Sequence, residues 1–218
     1  RITAIVEAAG DPATVIELGQ RALATTPRAW YFVRAVAWLW LAIAYQMAGR
    51  LDQAYAALTA GQTEDIAPDG AVRARVAGSR AFVAWMAGDL WATLPLADHL
   101  LDVGEHHQRH ESLGWGHYLR SSSAYQHNDL ATAAVHAQAL EEMRYVCTPM
   151  AYLQSAFVYA SVYQAQGLAG QARAKIDLAF AFVRETRSEG LLPLAHAFAA
   201  ELAVRQGDLG VTGHDRQQ

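Results

Sequence analysis

Six short corners of nearly the same kind recur along the chain: "AAGDP" at Gly10, "MAGRL" at Gly49, "MAGDL" at Gly88, "QHNDL" at Asn128, "AQGLA" at Gly167 and "RQGDL" at Gly207. Successive corners stand 39, 39, 40, 39 and 40 residues apart. Spacing this regular marks a chain made of stacked copies of one supersecondary unit, and it restricts the fold more than any local propensity does. Gly or Asn at each corner accepts the left-handed conformation that closes a helix C-terminus. Asp follows at positions 11, 89, 129 and 208, a side chain suited to capping the first amides of the next helix. Pro12 after Asp11 is preorganised for a first helical position. A Gly inside a helix would be a flaw of about 1 kcal/mol, so Gly49 reads as a corner between two helices.

Between corners Ala, Leu, Arg, Gln and Trp dominate, with little strand alternation. Each period has room for two helices of roughly 16–18 residues and two short connections. The second connection of each period is marked by a Pro or Gly cluster: "TTPRA" (25–29), "EDIAPDGA" (64–71), "ESLGWG" (111–116), "VCTPM" (146–150) and "SEGLLP" (188–193). Small residues recur seven before the corner (Ala42, Ala81, Ser121, Ala160, Ala200) and five after it (Ala54, Thr93, Ala133, Ala172), where paired helices must approach closely. Tyr45 and Tyr163, four before their corners, are wedges between helices. The expected fold is all-α: about five antiparallel helix pairs in a right-handed superhelix, one continuous domain over 1–209, with 210–218 as a tail or linker. Long loops are expected only near 62–70 and after 207.

Composition narrows the setting. Of 218 residues 53% are apolar and 17% charged, with a net charge of −4, which supports a large core and excludes a disordered chain. Lys175 is the single lysine and no basic run occurs, so nothing here invites nucleic acid. Cys147 is the single cysteine, which rules out an intrachain disulfide and suits the cytoplasm. The apolar stretch "AVAWLWLAIAYQMA" (35–48) lies between Arg34 and Arg50 and is too short to span a membrane. It reads as a buried helix. With no initiator Met and no signal peptide at Arg1, the chain reads as an excised fragment.

Ala, Tyr, Gly and Ala at seven-before, four-before, corner and five-after resemble the tetratricopeptide repeat. The match is clearest in "WLWLAIAYQMAGRLDQAYAAL" (38–58) and "AFVYASVYQAQGLAGQARAKI" (156–176). Corners 88, 128 and 207 lose the Tyr, having Ala84, Ala124 and Ala203 instead, and the period exceeds the usual 34 residues. The longer period, with its "Y-Q-x-x-G-x-L/A-x-x-A" pattern, is similar to the repeat region of large MalT-like, LuxR-type bacterial transcription activators. That resemblance implies an effector-sensing, non-catalytic domain, flanked elsewhere in the polypeptide by an ATP-binding switch and a helix-turn-helix. Neither a "GxxxxGK[ST]" run nor a basic DNA-reading helix occurs in these residues, so no cofactor is expected in this segment.

In tetratricopeptide folds the first helix of each pair lines the concave side. Carried over, this places Trp40, Gln46, Arg75, Phe82, Trp85, Trp115, Tyr118, Ser122, Tyr125, Gln154, Phe157, Ser161, Gln164 and Glu201 in a groove, although several of them would serve equally as core between repeats. Aromatics with a few amides and hydroxyls and one Arg suit an uncharged or amphipathic ligand. A chaperone-tail clamp would want Lys and Asn where Leu39, Tyr118, Phe157, Ile43, Phe82 and Ser122 stand. The alternative function is a passive scaffold holding a partner's peptide in that groove. Ile2, Ile5 and Val6 of the first helix point to self-association or contact with flanking domains, since an uncapped solenoid end exposes apolar surface.

Other constellations are weaker. His99, His106, His107, His110 and His117 cluster in "HLLDVGEHHQRHESLGWGH" (99–117), with His106 and His110 at i,i+4 beside Glu111. That spacing is workable for metal, but a solvated helix end is the expected reading, His there being favourable to the dipole. The serines of "RSSSAY" (120–125) lack the strand-turn-helix setting of a nucleophile elbow. Cys147 reads as a small buried hydrophobe.

Overall fold

A computed structural model describes the backbone of residues 11–63 and 71–207 and the side chains over 11–63 and 76–207. Among the described residues there are ten α-helices, one short 3-10 turn and no strand. The helices are α1 (Pro12–Thr25), α2 (Tyr31–Met47), α3 (Leu51–Thr63), α4 (Ala71–Met86), α5 (Leu90–His107), α6 (His110–Gln126), α7 (Leu130–Glu142), α8 (Pro149–Ala165), α9 (Ala169–Glu185) and α10 (Leu192–Arg205). No described helix is long and apolar enough to cross a membrane. The chain divides into two compact units between Ser112 and Leu113, within α6.

The corners behave as their chemistry requires. Gly49, Gly88, Gly167 and Gly207 have φ of 72°, 76°, 76° and 72°, and Asn128 has 60°. At Gly49 the amide donates to the Gln46 carbonyl at 3.0 Å, and the next amide, Arg50, reaches back to Tyr45 at 2.8 Å. The same pair of bonds closes the helices before Gly88, Asn128 and Gly167, satisfying carbonyls that the helix end would otherwise orphan. Asp11, Asp89 and Asp129 cap the helices that follow by accepting from Ala13, Ala92 and Thr132 amides at 3.1, 3.0 and 3.1 Å. Gly10, the 64–70 connection, the Ile2/Ile5/Val6 helix and the tail after 207 lie outside the described residues.

One connection is not where the Gly-rich run pointed. "ESLGWG" (111–116) lies inside α6, and the break falls instead at Gln108–Arg109. Gln108 is left-handed, φ 51°, and Arg187 after α9 is too, φ 52°; each carries the same closing hydrogen bonds as the Gly corners. Gly114 sits within the helix for a different reason, close approach: a Cβ there would lie 2.9 Å from the Cys147 Cβ. The helices also vary more than expected, from 13 residues in α3 and α7 to 18 in α5. A non-Gly left-handed residue costs roughly 1–2 kcal/mol of backbone strain, partly offset for Gly by greater unfolded-state freedom. Gln108→Gly and Arg187→Gly should therefore each stabilise by about 0.5–1 kcal/mol, read as a raised urea midpoint. An unchanged or lowered midpoint for both would contradict this.

Close packing uses the small positions. Ala42, Ala81, Ser121, Ala160, Ala54, Thr93, Ala133 and Ala172 all have 0% exposure. Buried area at these sites is slight, and their contribution is to let larger neighbours interdigitate. In the first unit Leu41, Tyr45, Leu58, Val76 and Val83 form one cluster from α2, α3 and α4, with Trp38 and Tyr55 packed against it. In the second, Ala160, Ala172, Ile176 and Leu202 join α8, α9 and α10, under Phe157, Tyr163, Phe180 and Phe198. Tyr45 wedges in place with its hydroxyl accepting from Gln20 Nε2 at 2.9 Å. The buried Arg34 reaches from α2 to the carbonyls of Leu23 and Thr26 at 2.5 and 2.7 Å. It thereby closes the end of α1 with a charge suited to that pole.

Candidate functional site

The predicted groove residues separate by unit. In the first, Trp40 is half-buried against Val15, Ala22, Ala37 and Ala44. Phe82 and Trp85 stack on α4 with centroids 5.7 Å apart. Gln46 is half-buried, and its Oε1 accepts no hydrogen bond from described residues. The Arg75 side chain lies outside the described residues.

In the second unit α6 places Trp115 edge-on to Tyr118, centroids 5.9 Å apart. Tyr118 and Ser122 are buried, at 2% and 4% exposure. Burial pushes the Tyr118 phenol well above its ordinary pKa, with a hydrogen bond to Ser122 opposing it. These two therefore belong to the packing between helices rather than to an open surface. On α8, Gln154, Phe157, Ser161 and Gln164 recur at helical spacing; Gln154, Phe157 and Gln164 are half-buried and Ser161 is buried.

Five of the predicted residues converge on two that the sequence reading did not single out. Arg205, in the last turn of α10, donates from Nη1 to the Tyr125 hydroxyl at 3.0 Å and to Ser161 Oγ at 3.4 Å. Its Nη2 pairs with the Glu201 carboxylate one turn earlier. The guanidinium carbon lies 5.7 Å from the centroid of Phe157, whose ring is stacked on Phe198 at 4.3 Å and 7°. Beside it Gln206 donates from Nε2 to Gln164 Oε1 at 2.8 Å and accepts from Arg173 Nε at 2.6 Å. Helices α6, α8 and α10, each preceding a left-handed corner, thus deliver phenol, hydroxyl, carboxylate and aromatic face to one guanidinium, with the Gln164 amide held by the neighbouring Gln206. Arg combines a charge-assisted fork with ring stacking, which Lys cannot do. The Glu201–Arg205 i,i+4 pair was readable from sequence. The reach from Arg205 to Tyr125 across 80 positions was not.

A second polar cluster lies on the other side of α8. Lys175 of α9 pairs with Glu141 at 2.5 Å and stands 4.5 Å from the ring centroid of Tyr159. Gln138, Glu141, Glu142, Arg144 and Tyr159 line a concavity of about 350 Å³. None of these was placed in the predicted groove.

The histidine run does not form one face. His106 is near the end of α5 and His110 starts α6, so the break at Gln108–Arg109 removes their i,i+4 relation. His106 donates from Nδ1 to the Asp102 carbonyl at 2.9 Å, and that bond together with the Asp102 carboxylate raises its pKa. Among the described residues no group of three or more His, Cys, Asp or Glu side chains is placed to hold a metal. Ser121 donates to the Ala133 carbonyl at 2.9 Å, and Ser123 is fully buried, which makes both of them helix-packing residues. Burial pushes the Cys147 thiol up to about 11, against thiolate chemistry.

His117 instead faces His136 of α7, Nδ1 to Nδ1 at 3.0 Å. One ring donates and the other accepts, an arrangement that a second proton breaks. Burial first, and His136 second, lower the His117 pKa to about 4. The unfolded chain then takes up this proton before the native state does, so stability contributed by neutral His117 is complete above about 6.5 and falls as pH drops toward 4. His117→Gln should flatten the fall in melting temperature across that window. Parallel pH profiles for the two proteins would contradict the assignment.

In comparisons with known proteins, the chain matches no family model, no curated protein and no solved structure.

Proposed function

We propose that this chain is the effector-sensing, protein-interacting repeat region of a large MalT-like, LuxR-type transcription regulator, acting without catalysis. In this reading about five tetratricopeptide-like pairs stack as a right-handed superhelix in the cytoplasm, with ATP and DNA handled by other parts of the polypeptide. One observation carries the proposal: Tyr125, Phe157, Ser161, Gln164 and Glu201, all placed in the groove from sequence, meet around Arg205 and Gln206. Groups drawn from three successive first helices respond together when those helices shift, which a sensor requires. An effector changes the state of such a stack only through its differential affinity for two arrangements. The coupling called for, about 1–3 kcal/mol, is within reach of one aromatic contact and two hydrogen bonds.

The test uses the complete open reading frame. Metabolites and candidate partner proteins are screened by thermal shift on the wild type, Tyr125→Phe and Trp115→Ala. Hits are then assayed for their effect on ATP-dependent DNA binding. The reading predicts hits weakened by Tyr125→Phe that change DNA binding. Hits indifferent to both substitutions remove the groove, and a reading frame without nucleotide-binding and helix-turn-helix modules removes the regulator.

A further inference from the structure

We infer that the Arg205 cluster is a receptor for a carboxylate carried on an apolar or aromatic body, with Glu201 as the internal group that such a ligand displaces. This rests on the sensing reading above and narrows its ligand from an uncharged or amphipathic molecule to an anionic one. Arg205 spends Nη1 on Tyr125 and Ser161 and one side of Nη2 on Glu201. Its Nε–H makes no hydrogen bond among the described residues, and Nη2 is engaged there by Glu201 alone. With Glu201 displaced, Nε–H and Nη2–H together form the side-on fork that takes a carboxylate bidentately.

The guanidinium is oriented before any ligand arrives. Tyr125 and Ser161 hold one end and the Phe157 ring lies beneath it, so little rotamer freedom remains to be lost on binding. Glu201 differs in kind from these partners. It lies on the same helix, is 47% exposed, and forms the sort of i,i+4 surface pair that is weakly held. A ligand carboxylate therefore competes against a poor internal partner, while the Phe157–Phe198 stack offers an apolar face beside it. Displacing Glu201 also releases the hydrogen bond that, among the described residues, ties the Arg205 head back to α10, leaving its bonds to α6 and α8.

The experiment titrates the full 218-residue chain with phenylacetate and hexanoate, and with phenylacetamide and hexanamide as neutral counterparts, by calorimetry and thermal shift. Carboxylates are expected to bind at least tenfold more tightly than their amides. Arg205→Gln should abolish the difference, and Arg205→Lys, which keeps charge but not the fork, should restore only part of it. Glu201→Gln should tighten carboxylate binding about five- to tenfold by removing the competitor. Far-ultraviolet circular dichroism checks that each variant is folded. The proposal is overturned if amides bind as well as acids, if Glu201→Gln leaves carboxylate affinity unchanged, or if no carboxylate binds wild type or Glu201→Gln at millimolar concentration. Amides whose binding Tyr125→Phe weakens would keep the site and sink only the ligand class. Carboxylates that bind through Arg205 without changing the complete regulator's DNA binding would keep the class and sink the sensor.

Discussion

Ala160→Leu is expected to destabilise the second unit by about 3 kcal/mol and to loosen the Arg205 cluster with it. Ala160 has 0% exposure and touches Ala172, Ile176 and Leu202, residues of α9 and α10. A leucine there adds three carbons to a site already closed by Phe157 and Tyr163, and packed interiors do not yield that volume without moving a helix. The helix with most to lose is α10, which carries Glu201 and Arg205. The substitution should therefore lower the urea midpoint and also weaken any ligand that reads Arg205. Val135→Leu, on a side chain 65% exposed in the same unit, should be within about 0.5 kcal/mol of wild type and serves as the control. A stability for Ala160→Leu within about 1 kcal/mol of wild type would show that α8 and α10 are not held at this position.

Leu58→Ala should be larger, about 3–5 kcal/mol. Leu58 is fully buried among Leu41, Tyr45, Val76 and Val83. Three helices frame it, α2, α3 and α4. A cavity enclosed on three sides by regular backbone collapses poorly, which places the cost at the upper end of the range for such truncations. Chemical denaturation followed by circular dichroism measures it, with the first unit expected to unfold early and produce a broadened or two-step transition. Leu58→Met, nearly volume-conserving, should cost less than about 1.5 kcal/mol. Equal losses for the two substitutions would mean that volume is not what Leu58 supplies.

The first of these expectations begins from a position, Ala160, that could be named without coordinates, and the reason is local. A left-handed corner needs Gly or Asn, so Gly49, Gly88, Asn128, Gly167 and Gly207 announced themselves, and Asp11, Asp89 and Asp129 marked capped starts. The zero exposure of Ala42, Ala81, Ser121, Ala160, Ala54, Thr93, Ala133 and Ala172 follows from fixed distance to those corners, because helical geometry places them where two helices cross; Ala200, at the same distance from Gly207, is only half-buried. Corners built on Gln108 and Arg187 escaped notice, since neither residue type signals positive φ. Gly114 misled for the complementary reason: a glycine used for close approach to Cys147 looks in sequence like a glycine used to break a helix.

The candidate site divides along the same line. That Tyr125, Phe157, Ser161, Gln164 and Glu201 share first-helix positions could be read from the chain, because position within a helix is a matter of counting. That they surround Arg205, that Tyr118 and Ser122 are buried instead, and that His117 pairs with His136 rather than His106 with His110 depend on how one helix is rotated and shifted against the next. Those offsets are set by the sum of many small packing contacts between residues far apart in sequence, so they exist only in the tertiary structure.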